Sequence, residues 1–124
     1  MFIERDLTER ILRCAYTVHT ELGPGLLESA YEACLFYELQ QNGLIVERQV
    51  ELPVEYKGIE IEAGYRIDLL IENKVILELK AVEEFKDIHT AQLLTYLKLA
   101  ECKIGYLINF NVKSLRTGIK RFVM

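Results

Sequence analysis

No apolar run in this 124-residue chain approaches the roughly 20 residues that a bilayer-spanning helix needs, so no membrane partner is expected. The opening, MFIERDLTER, carries acids too early for a secretory signal. A basic surplus is also missing. Fifteen lysines and arginines stand against 19 aspartates and glutamates, a formal net charge of −4. That argues against a protein gripping long nucleic acid through a basic surface, although carboxylates gathered in an active site would count toward the same total. Cysteine is scarce and unpatterned. Cys14, Cys34 and Cys102 are odd in number and show no CxxC spacing. Each lies in apolar sequence, so buried free thiols in a reducing cytoplasm are expected. Repeats, low-complexity tracts and linkers are absent, which leaves residues 1–124 as a single domain large enough for a real core.

What remains is 51% hydrophobic and 27% charged, an ordinary globular mixture. Leu7, Ile11, Leu12, Ala15, Val18 and Leu22 recur at helical spacing, predicting a helix over about 6–21 that Gly23-Pro24-Gly25 ends. A second helix runs from about Leu26 to Gln41 and stops at Asn42-Gly43. Leu44 to Tyr56 alternates as a strand, with Pro53 marking an edge or bulge. Lys57-Gly58 then turns the chain into Ile59, Ile61 and Ala63. Tyr65 to Ala81 reads as a strand hairpin about Glu72-Asn73-Lys74. Asp87 to Ala100 is a third helix, Ile104 to Phe110 a strand buried on both faces, and Ile119 to Val123 a last short strand. The order ααβββαββ is that of an α/β sandwich, a mixed sheet with helices packed on it. The crossover through the third helix favours parallel pairing of the strands on either side.

The hairpin carries the chemistry. Strict alternation places Tyr65, Ile67, Leu69 and Ile71 on one face and Asp68 on the other, while Glu78 and Lys80 share a face of the second strand. A three-residue loop would set Ile71 against Val75 and Asp68 against Glu78, with Cβ atoms roughly 4.5–5.5 Å apart. Carboxylates that close repel, and a divalent cation between them removes the conflict. An alternative is an Asp68–Lys80 salt bridge on a wet sheet face, but VILELKA is too apolar for such a face. In the second helix Glu28, Tyr31, Leu35 and Leu39 form one stripe, so Glu28 is expected to point inward and to need a partner. Glu28, Asp68, Glu78 and Lys80 together suit phosphodiester hydrolysis, with Mg²⁺ held by carboxylate oxygens and Lys80 orienting water or offsetting transition-state charge. His89, Gln92 and Tyr96 share a face of the third helix. Taken alone, Gln92 and Tyr96 are equally well read as margins of a core helix, and His89 as structural. The densest basic stretch is Lys113 to Arg121.

Asp68, nine residues, then Glu78-Leu79-Lys80 resembles the D…ExK core of the PD-(D/E)XK nuclease superfamily. Gly25 to Tyr31, GLLESAY, is similar to the signature of the small GxxExxY proteins within it. LGPGLLESAYE, HTAQLLTYLK and YLINFN extend the resemblance from about Leu7 to Phe122. It implies a restriction-endonuclease-like sandwich, Asp68 and Glu78 as ligands of Mg²⁺ or Mn²⁺, Lys80 as catalytic lysine, and Glu28 as an acid from the preceding helix. It implies Gln92 and Tyr96 as a QxxxY pair beside the site, and DNA or RNA as partner. Ile67 stands where the motif's name has proline.

Two other readings compete with a nuclease. One is a non-catalytic module that keeps the fold to bind nucleic acid or protein, favoured by the net negative charge and the lack of a second gripping domain. The other is an interaction protein whose sheet edge forms a homodimer. Inward acids without a role cost stability, which argues against a decayed site.

Overall fold

The structure, a computed structural model, describes residues 4–124. Two helices come first, α1 (Arg5–Leu22) and α2 (Glu28–Gln41), followed by β1 (Val46–Glu51), β2 (Val54–Tyr56), β3 (Ile59–Ile61), β4 (Arg66–Ile71) and β5 (Val75–Lys80). Helix α3 (Asp87–Ala100) leads to β6 (Ile104–Asn109), a 3₁₀ turn (Leu115–Gly118) and β7 (Ile119–Val123). The main sheet has the order β1-β4-β5-β6-β7. Only β5 and β6 are parallel; the other neighbours run antiparallel. Right where sequence expects a crossover, α3 spans that parallel pair. The sheet is therefore mixed, with helices on both faces, and agrees with a restriction-endonuclease-like α/β sandwich.

One correction concerns the stretch from Leu44 to Tyr56, which is not one strand. It divides at Leu52-Pro53 into β1 and β2, because proline offers no N–H to continue a ladder. The short β2 pairs with β3 as a separate two-stranded ribbon. Without that ribbon, the order is the expected ααβββαββ.

Alternation divides the core into two layers. Val75, Leu77 and Leu79 face α1 and α2, where they pack with Ile11, Leu35 and Leu39. Ile76 and Leu107 face α3 and pack with Leu93 and Leu97. The strand β6 is buried along its whole length, as expected of a parallel strand covered on both sides. Gly105 lets α3 approach: a Cβ there would lie 2.9 Å from Leu93 Cδ1 and 3.1 Å from Leu97 Cδ2.

Tyr31 closes the first interhelical turn. Its hydroxyl donates to the Gly23 carbonyl at 2.6 Å and accepts from the Leu26 N–H at 3.1 Å. The ring stacks on Phe110 with centroids 4.5 Å apart. Gly23 itself takes φ 66 and bonds back to His19, a conformation that favours glycine. His19 is buried and its Nε2 lies 2.8 Å from the Val112 carbonyl, tying α1 to the segment after β6. All three cysteines are free; Cys14 and Cys102 are buried, whereas Cys34 is only partly covered.

Candidate active site

Asp68 and Glu78 come together at the point where the β4–β5 ladder stops. Paired residues run from Ile71–Val75 to Leu69–Leu77, which is the register that a three-residue loop dictates. The next position is held by side chains. Asp68 N–H donates to Glu78 Oε2 at 2.8 Å, and Leu79 N–H donates to Asp68 Oδ2 at 2.8 Å. Each carboxylate thus takes over a backbone partner on the neighbouring strand, satisfying N–H groups that a buried ladder gap would leave orphaned.

Alternation fails at the same place. Leu69 and Ile71 belong to the α1–α2 side of the core, but Ile67 is buried on the α3 side with Leu70, and Tyr65 touches the Tyr96 ring with centroids 6.2 Å apart. The expectation that Tyr65, Ile67, Leu69 and Ile71 share one face is corrected. Strand β1 changes in the same way: Val46 packs on the α1–α2 side, Val50 and Leu52 on the other. Arg48–Leu69 and Val50–Ile67 flank the interruption in unchanged register, so no residue is inserted. Between them Gln49 adopts φ 51.

The electrostatics follow from burial. Glu78 is 4% exposed. Desolvation first, then the Asp68 charge, push its carboxyl up to about 8, against the relief given by the Asp68 N–H and Lys80. Asp68 is also raised, mainly by burial, while the Leu79 N–H, Gln49 and Lys80 pull the other way. Lys80 is half-buried, one strand position beyond Leu79. It forms no ion pair with Asp68 among the described residues, so the wet salt-bridge alternative is not what forms. Its backbone carbonyl accepts from Phe110 N–H at 2.9 Å. Beyond it, the buried Asn109 accepts from Val82 N–H at 3.1 Å and donates to the Val82 carbonyl at 2.8 Å, fixing the chain as it leaves β5.

Helix α3 supplies the neighbouring wall. Gln92 Nε2 donates to the Tyr96 hydroxyl at 3.0 Å. Tyr96 is buried, and its phenol is raised by desolvation and then by the charge of Glu78. Both residues also line a mostly apolar groove with Tyr65, Ile88 and Leu99. At the start of α3, His89 Nδ1 accepts from the Lys86 N–H at 3.1 Å, which caps the helix; burial and then the Lys80 and Lys86 charges lower its pKa.

The inward acid of α2 is a different residue from the one expected. Glu28 is exposed, because α2 begins there and no preceding turn carries it over the sheet; its charge reaches His89. Glu32, one turn later, is 8% exposed. Arg48 binds its Oε2 from Nε at 3.3 Å and Nη2 at 3.2 Å. Gln49 Nε2 donates to its Oε1 at 2.7 Å and also to Asp68 Oδ1 at 3.3 Å. The signal for Glu32 was present, since Glu32, Leu35 and Leu39 fall at i, i+3 and i+7. Gln49 left none. The basic residues nearest this edge are engaged: Arg48 by Glu32 and Arg66 by Glu51 at 3.1 Å.

The family model of the PD-(D/E)XK nuclease superfamily matches residues 5–122, nearly the whole chain. The chain belongs to the PD-(D/E)XK nuclease superfamily. No curated protein and no solved structure gives a significant match. Nucleases of this superfamily typically use divalent metals, and the donor set here fits one. Two carboxylates on adjacent strands each have one oxygen occupied by a backbone N–H, and the second oxygen of Asp68 is met by Gln49. Among the described residues no group of three or more Asp, Glu, His or Cys side chains is placed to hold a metal ion. Two carboxylates without a cage suit a hard cation that keeps several waters, and its charge would relieve the repulsion that raises Glu78. No helix is long and apolar enough to cross a membrane among the described residues.

Proposed function

We propose that this chain is a nuclease-like domain that hydrolyses nucleic-acid phosphodiester bonds with the help of Mg²⁺ or Mn²⁺. The observation that carries this reading is the interlock of Asp68 and Glu78 across a ladder gap, with Lys80 two residues further along β5. Asp68 and Glu78 are the residues that would hold the cation. When bound there, it would make a coordinated water more acidic and offset charge on the phosphate oxygens.

The chain's own groups divide the remaining work. Lys80 sets a fixed positive charge beside the carboxylates, placed to orient a water or to offset charge that grows in the transition state. Gln92 and Tyr96 form one hydrogen-bonded unit on the facing helix, where they would contact the nucleic acid next to the scissile phosphate. Glu32 is the helix acid that reaches the carboxylate pair through Gln49; Glu28 stands exposed at the start of α2. GLLESAY, residues 25–31, supports placement in the GxxExxY group. The Tyr31 hydroxyl bonds to Gly23 and Leu26 give part of that motif a structural purpose. Three free thiols suit a reducing cytoplasm, and a homodimer would lengthen the short groove of a chain this small.

The test is incubation of the purified protein with single- and double-stranded DNA and RNA, with Mg²⁺, with Mn²⁺ and with a chelator. Cleavage by the wild type that chelation stops, and that Asp68→Asn and Lys80→Ala lose while remaining folded, is the expected result. Cleavage of wild-type strength in both variants would remove the reading. Binding that survives chelation without any cleavage would favour the non-catalytic module.

A further inference from the structure

Gln49 occupies the middle of β1, opposite Asp68, in a left-handed conformation at φ 51. A non-glycine residue held there is strained and persists only where its surroundings demand it. No inserted residue forces it, because the pairs on either side keep one register. Nor does the hydrophobic core, since the Gln49 side chain is exposed. What the conformation achieves is a bridge. One amide nitrogen donates to Glu32 Oε1 at 2.7 Å and to Asp68 Oδ1 at 3.3 Å. Two acids from different elements, α2 and β4, are thereby tied to a single donor. Arg48, the preceding residue, holds the other oxygen of Glu32. Glu32 is pinned by consecutive residues of β1, and Asp68 by Gln49 on Oδ1 and Leu79 on Oδ2.

The geometry points to Gln49 as a positioning residue: we propose that its strained backbone aims the side-chain amide between Glu32 and Asp68, fixing the Asp68 carboxylate in the orientation that receives a divalent cation and holding Glu32 beside it. This rests on the metal-dependent reading above. Gln49 is not assigned contact with substrate or metal. It acts through Asp68 and Glu32, as partners that orient metal-binding carboxylates do. The alternative role is structural only, with Gln49 as a residue that tolerates the kink where β1 and β4 change face.

Gln49→Gly separates the two. Glycine takes positive φ without penalty, so the kink is kept and eased while the amide is removed. Thermal unfolding of Gln49→Gly is expected at or above the wild-type temperature. Calorimetric titration of Mn²⁺ into the full-length variant is expected to show affinity lower by about 10–100-fold. In the Glu32→Gln background the same substitution should cost clearly less, because the bridged partner has changed. Wild-type Mn²⁺ affinity in a stably folded Gln49→Gly overturns the proposal. If Gln49→Gly fails to fold, Gln49→Asn, which also tolerates the left-handed region but is one methylene too short to span both acids, replaces it with the same expectations. A metal-free readout keeps this inference apart from the nuclease reading. In the wild type the Gln49 side-chain amide protons should be slowed in exchange and shifted from free-glutamine positions by their two acceptors, and Glu32→Gln should alter both signatures. A freely exchanging amide overturns the bridge whether or not the protein binds metal. A protected amide in a protein that binds no Mn²⁺ would count against the metal reading and against Gln49 as a residue serving it.

Discussion

Asp68 and Glu78 exchange backbone partners across the gap between β4 and β5: Glu78 receives the N–H of Asp68 itself, and Asp68 receives the N–H that follows Glu78, both at 2.8 Å. A pair of acids is thereby built into the sheet in place of a rung. The sheet itself shapes the pair, which would limit the reorganisation that binding a cation requires. It also holds two carboxylates in a desolvated place, where charging both is unfavourable.

Stability should therefore fall with rising pH where most proteins are indifferent. Glu78 moves from its ordinary 4.5 to about 8 in the folded protein. Below that window both folded and unfolded chains are protonated at Glu78. Within it the folded chain holds a proton that the unfolded chain has released, so raising the pH favours unfolding; Asp68, also raised, acts in the same direction. Glu78→Gln retains an oxygen for the Asp68 N–H and removes the charge. From about pH 5 to about pH 8 the wild type should lose a few kcal/mol relative to Glu78→Gln. Millimolar Mg²⁺ should return that stability to the wild type alone. Parallel melting curves for the two proteins across the range would contradict the assignment.

Lys80→Ala should lower cleavage by about 100–1000-fold, the usual effect of removing one preorganised charge partner. Divalent-cation affinity should stay near the wild-type value, because Lys80 is not a donor to the cation. Asp68→Asn should lose both. Measuring turnover and calorimetric affinity on the same samples distinguishes a lysine that assists chemistry from one that only supports the fold.

The two acids of α2 should behave differently. Glu28→Gln, at an exposed helix start, is expected to leave the melting temperature unchanged. Glu32→Ala removes the partner of both Arg48 and Gln49 and should destabilise by about 1–3 kcal/mol. It should also weaken Mn²⁺ binding more than Glu28→Gln does. Equal effects of the two on metal affinity would count for Glu28 as an acid of the site.

Tyr31→Phe keeps the stack on Phe110 and deletes the hydroxyl that serves Gly23 and Leu26. A loss of about 1–2 kcal/mol in denaturant unfolding is expected, with Leu26 N–H losing a partner. An unchanged midpoint would mean that the turn closes without it.

Legibility in the sequence tracked how local the determining physics was. The parallel pairing of β5 with β6 was readable because a helix separates them and β6 is apolar throughout. The Ile71–Val75 register followed from loop length alone. The helical stripe turns Glu28 inward only by running through a position where the helix has just begun; Glu32 satisfies the same spacing from inside it. Tyr65 and Ile67 depart from the face that alternation gives them because period two holds only along an uninterrupted ladder. The interruption falls where Gln49 meets Asp68, 19 residues apart, and nothing local to either position announces it. The break at Pro53 was visible as a proline, but not the independent ribbon it releases.

The parallel partnership of β5 also sets an order in time. The carboxylates, Lys80, Gln92 and Tyr96 have all been synthesised once the chain reaches Leu97, and the β4–β5 hairpin is local enough to close early. Its far side is not yet covered. Six residue pairs join β5 to β6, and Val82 waits for Asn109, 27 residues on, to fix the exit of the strand. A growing chain that carries both carboxylates therefore still lacks the neighbour that dries and holds them, so the pair reaches its desolvated form only with β6.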